Sequence, residues 1–159
     1  MILIADSSPL IALAVCDGLF ILEELYSEII IPEAVYQEIT YKEKKYSELF
    51  IHLFKDKVVH AHSLFINDYS LGKGELEAIL LYKELKADLL LIDDKRARKI
   101  AHLNEIKTIG SLGLLFEAKE KKIITSLYPF VLKIYKSDIF ISKKLCNYIL
   151  LQSGETLFD

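Results

Sequence analysis

The chain has 159 residues, 52% of them hydrophobic and 27% charged, with a formal net charge of −3. That length and apolar fraction suit one compact domain, residues 1–159, with a sizeable core, and the few Gly and Pro residues exclude a disordered or low-complexity polymer. The slight acidity argues against coating nucleic acid by bulk charge, but not against an enzyme whose bound cation supplies the positive charge.

Residues 1–5 read as a short apolar strand, and Asp6-Ser7-Ser8-Pro9 follows at once. Asp or Ser ahead of Pro signals a helix start, so an apolar helix is expected over residues 10–15, ended by Asp17-Gly18. Asp6 then stands at the carboxyl end of a strand and beside a helix N-terminus, where its plain structural role is an N-cap. Residues 19–26 read as a short helix, 28–31 as a second strand stopped by Pro32, and 32–39 as a helix with Pro near its start. Val35 and Ile39 share one face, four apart. Glu38 lies beside that face, either solvated or leaning over the sheet edge toward Asp6. Residues 41–54, charged and aromatic, read as an outer helix, and 57–61 as a small strand. His60 and His62 alternate there as surface or edge residues, short of the ligand count that zinc needs.

In residues 71–82 glycines precede a strongly apolar helix, with Glu75 in the first turn where the helix dipole favours a carboxylate. Glu77 reads as a surface residue. Leu89-Leu90-Leu91-Ile92 is a continuous apolar run, the mark of a strand buried on both faces of a parallel sheet. Asp93 and Asp94 follow it directly, and then a helix from 95 to 102. Residues 106–110 read as a further strand and 111–119 as a helix. An apolar helix over 123–135 is expected to kink or restart at Pro129, and a last helix, 143–151, is capped by Ser142. Residues 153–159 are expected to fray. Cys16 and Cys146 fall in no metal-ligand pattern and read as reduced core or helix-face residues. No apolar run is long enough to span a membrane, and the N-terminus lacks a signal-peptide pattern, so a cytoplasmic protein is expected.

Alternating strands and helices predict a three-layer α/β/α sandwich with a central, mainly parallel sheet. Ligands of such sheets bind beyond the carboxyl ends of the strands. Asp6, Glu75, Asp93 and Asp94 all fall at strand ends or helix starts there, with Glu38 within reach. Carboxylate oxygens are the hard ligands that Mg²⁺ or Mn²⁺ prefers, and such ions can activate water against a phosphodiester.

The ordered set Asp6-Ser7-Ser8-Pro9-Leu10-Ile11, Ile31-Pro32-Glu33-Ala34-Val35 with Glu38, Gly74-Glu75 with Ala78-Ile79, Leu90-Leu91-Ile92-Asp93-Asp94, and Gly110-Ser111-Leu112-Gly113 resembles a PIN domain. It is similar to the PIN-like ribonucleases that serve as toxins of type II toxin–antitoxin pairs. The resemblance implies a Mg²⁺- or Mn²⁺-dependent endoribonuclease with a quartet of acids. Asp6 matches the first, Glu38 the second, Glu75 the third and Asp94 the fourth, with Asp93 as its neighbour and substitute. Asp6, Glu75, Asp93 and Asp94 would bind metal, and Ser7 would orient the first acid. Lys73, Lys95, Arg96 and Arg98 are candidate phosphate contacts, or ordinary solvated charge. An RNA substrate, a small antitoxin protein and a homodimer are the implied partners. The rival reading is a catalytically inactive PIN-like scaffold that binds a protein partner or RNA. Nine Tyr and eight Phe could supply its interface.

Overall fold

A computed structural model describes residues 1–62 and 70–159. The chain begins with β1 (Ile2–Ala5), α1 (Ser7–Val15), α2 (Phe20–Leu25), β2 (Glu28–Pro32), α3 (Glu33–Ile39), α4 (Ser47–Phe54) and β3 (Val58–Val59). It continues with α5 (Lys73–Glu84), β4 (Leu89–Leu91), α6 (Lys95–Leu103), β5 (Thr108–Ile109), α7 (Ser111–Glu120), α8 (Tyr128–Tyr135) and α9 (Lys143–Gln152). The five strands form one sheet in the order β3-β2-β1-β4-β5, and every pairing is parallel.

Successive strand residues face opposite sides of a sheet. Leu3, Ala5, Ile29, Ile31 and Leu91 accordingly enter one core, shared with α1, α2, α4, α7, α8 and α9. Ile4, Ile30, Leu90 and Ile92 enter a second core, closed by α5 and α6. This is the α/β/α sandwich expected from the apolar runs. Burying both strand faces explains why those runs do not alternate with polar residues.

Three expectations change. The outer helix covers only Ser47–Phe54, because residues 41–46 carry a run of lysines without an apolar stripe and form turns, with Ser47 donating to Lys44 O at 3.1 Å. The helix expected over 123–135 is confined to Tyr128–Tyr135, with Pro129 in its first turn, where a missing N–H costs nothing. The C-terminal residues do not fray. Glu155 accepts hydrogen bonds from the amides of Leu127 (2.7 Å) and Tyr128 (2.9 Å) and pairs with Lys119 at 2.6 Å. Phe158 packs its ring against Tyr128 and Tyr135, each 5.2 Å away between centroids.

Candidate active site

β1 is the strand at which the sheet order reverses, with β2 on one side and β4 on the other. Crevices open beyond the carboxyl ends of the strands at such a reversal. Asp6 comes directly after β1, and its amide donates to Leu91 O at 3.0 Å, which extends the ladder to β4 and fixes where the side chain starts. Asp6 is only 2% exposed. Asp93 stands two residues beyond the end of β4, and its Oδ1 accepts the Ser111 amide at 2.7 Å. Glu75, in the first turn of α5, accepts the Gly72 amide at 2.9 Å. Glu38 lies exposed near the end of α3.

Gly74 shows how closely two of these acids approach. A Cβ there would stand 3.7 Å from both Asp6 Oδ1 and Glu38 Oε2, and 3.0 Å from Val35 Cγ2. The glycine gives way to Val35, and both carboxylates reach ordinary contact distance of its Cα hydrogen side over the start of α5. Asp6, Ser7, Ser8, Gln37, Glu38, Lys73 and Glu75 line a groove of about 570 Å³ here. Ser7 is buried beneath it.

Burial pushes the Asp6 carboxyl up to about 7; the Ser7 amide opposes this, and the carboxylates of Glu75, Glu38 and Asp93 add to it. Burial also raises the Asp93 carboxyl, against the pull of the Ser111 amide and hydroxyl and of the nearby Arg98 guanidinium. These four acids therefore share one field.

Asp94 is oriented differently. Its Oδ1 accepts the Ala97 amide at 2.7 Å, so it is the N-cap of α6 and lies exposed. Asp93 rather than Asp94 shares the field of Asp6. Among the candidate cations, Lys73 lines the groove with Asp6, and Arg98 stands beside Asp93; Lys95 and Arg96 are exposed on the first turn of α6.

Two supporting residues escaped sequence reasoning. Glu77 accepts the Ala34 amide at 2.8 Å, so α5 caps α3 from outside. The only hint was negative: Pro32, at the N-cap of α3, has no side-chain acceptor. Gly110 allows Asp93 to approach, since a Cβ there would lie 2.9 Å from Asp93 Oδ1.

The family model for a PIN domain matches residues 2–155. The chain belongs to the PIN-domain family. No curated protein matches it. PIN domains are in general nucleases and typically use divalent metals. The donor chemistry of this PIN domain fits such an ion: hard carboxylate oxygens, and a buried Asp6 whose charge its neighbours oppose until a cation offsets it. Among the described residues, though, no three His, Cys, Asp or Glu side chains stand as a ready-made coordination set. Asp93 and Glu75 each give an oxygen to a backbone amide instead. Among the described residues no helix is long and apolar enough to cross a membrane.

Proposed function

We propose that this PIN domain is a Mg²⁺- or Mn²⁺-dependent endoribonuclease and the toxin of a toxin–antitoxin pair. The observation that carries the nuclease reading is the buried Asp6 at the reversal of the sheet, coupled to Glu75, Glu38 and Asp93. Asp6, Glu75 and Asp93 would hold the ion. Asp94 serves the cap of α6. When bound, the ion supplies Lewis-acid activation of water and neutralises charge on the scissile phosphate.

The chain's own groups do the rest. Glu38 is exposed in the groove and takes the proton of the attacking water as general base. Ser7 keeps Asp6 in register through its amide. Lys73 and Arg98 flank the acids and hold the phosphates on either side of the cut. The toxin role rests on the similarity of the ordered motifs to ribonuclease toxins. It expects growth arrest on expression, relieved by a small antitoxin, and a homodimer by sedimentation.

Purified protein incubated with structured and single-stranded RNAs tests the nuclease reading, with Mn²⁺, Mg²⁺ or EDTA present. Cleavage that requires the cation and disappears in both Asp6→Asn and Asp93→Asn supports it. No cleavage, or cleavage that survives both changes, favours the scaffold reading.

A further inference from the structure

A second groove, of about 490 Å³, adjoins the acidic one. Ser8 borders both, and Asp93, Asp94 and Arg98 form one end of the second. Its body is apolar, and its rim carries two aromatic rings. Phe140 is 99% exposed and Tyr148 58% exposed. Among the described residues neither ring has an aromatic partner, in contrast to Tyr128, Tyr135 and Phe158 nearby. Folding alone gives no reason for a fully exposed Phe at the lip of a groove that opens onto the acids.

We infer that this groove is a nucleobase subsite: Phe140 and Tyr148 stack unpaired bases of the RNA next to the phosphate held over Asp6 and Asp93. The inference rests on the nuclease reading and adds where the rest of the substrate lies. Three observations carry it. The groove meets the acidic one at Ser8 and carries Asp93 on its own wall, so a strand crossing one enters the other. The cations are placed on both sides of the acids, Lys73 in the first groove and Arg98 in the second, which suits consecutive phosphates of one strand. Single-stranded nucleic acid is held where cationic groups track the backbone while aromatic faces take the bases, and such stacking tolerates any base. A base paired in a duplex has no free face to offer, so the subsite selects unpaired RNA.

The test is binding of a fluorescent single-stranded RNA octamer in EDTA, read by anisotropy, beside cleavage of the same RNA with Mn²⁺. Phe140→Ala and Tyr148→Ala are each expected to weaken octamer binding by roughly 5- to 100-fold, and to raise KM more than they lower kcat. Phe20→Ala, at an exposed aromatic outside the groove, is expected to change neither. A duplex of the same sequence should bind more weakly and respond little to either groove substitution. Unchanged octamer affinity in both variants, with a wild-type melting temperature, overturns the subsite. So does a finding that Phe140→Ala splits a dimer while leaving RNA affinity intact, because the groove is then covered by a second copy. If octamer binding falls in the variants but no cation elicits cleavage from the wild type, the subsite stands and the nuclease reading fails.

Discussion

Glu77 of α5 accepts the backbone amide of Ala34 at 2.8 Å, and so ties together the two helices that carry Glu75 and Glu38. Pro32 offers α3 no side-chain cap, so this carboxylate takes that place from across the fold. Glu77→Ala should destabilise the protein by about 1–2 kcal/mol, the usual cost of a lost cap. Cleavage should fall further than stability explains, because the spacing of Glu38 and Glu75 loosens. Thermal melts and cleavage assays on the same sample separate the two effects. A drop in melting temperature with unchanged kcat would show that the tie is structural only.

Asp6 makes stability depend on pH in an unusual direction for a carboxylate. Its folded carboxyl titrates near 7 and its ordinary value is 3.8, so between those values the native state holds a proton that the unfolded chain has lost. The contribution of Asp6 is therefore lost as pH rises through that window. Asp6→Asn should be more stable than the parent above pH 7, by roughly 1–4 kcal/mol, and nearly equal to it below pH 4. Saturating Mg²⁺ or Mn²⁺ should raise the melting temperature of the parent at pH 8, and EDTA should reverse this; Asp6→Asn should lose most of the response. Equal stability of the two proteins at pH 8 would mean that Asp6 is not held against its charge.

The neighbouring aspartates should separate cleanly. Asp94→Ala removes the N-cap of α6 and should cost about 0.5–2 kcal/mol while leaving most cleavage in place. Asp93→Asn should abolish cleavage at little cost in stability. The opposite pattern would assign the fourth acid of the site to Asp94.

Gly110→Ala places a methyl group 2.9 Å from Asp93 Oδ1, whose position the Ser111 amide fixes. The carboxylate must shift. We expect at least a tenfold loss of kcat with a destabilisation of about 1–3 kcal/mol. An unchanged kcat would show that the position of Asp93 is not critical.

Burial works against the charge of Glu155, but Lys119, the Ser126 hydroxyl and the amides of Leu127 and Tyr128 outweigh it and hold the carboxyl at about 2. Its contribution is thus present above its ordinary value of 4.5 and disappears as pH falls toward 2. Glu155→Ala should lower stability at neutral pH by roughly 2–4 kcal/mol. The two proteins should converge in acid melts.

The layers of the fold were legible because burial on both faces leaves a plain mark: Leu89-Leu90-Leu91-Ile92 can only be a doubly covered strand or a helix fragment, and it is too short for the latter. The location of the acids followed from the same reading, since strand ends locate the chemistry. Which aspartate of the pair acts on the charge of Asp6 was not legible. Adjacent residues at a strand-to-helix turn diverge by side-chain geometry, and that depends on Ala97 and Ser111 offering their amides, a tertiary fact. The anchoring of residues 153–159 was hidden for the same reason. Its partners Lys119, Ser126 and Tyr128 lie far back in the chain, and nothing local distinguishes Glu155 from a solvated acid.

The hydrogen bond from Asp6 to Leu91 bears on how the protein is made. Asp6 leaves the ribosome directly after β1, but Asp93, beyond β4, follows it only 87 residues later. Strand pairings between distant parts of a chain form late. A growing polypeptide therefore carries the first acid of the candidate site through that whole stretch without Asp93 to couple it to, and any cleavage of RNA would wait until β4 has docked beside β1.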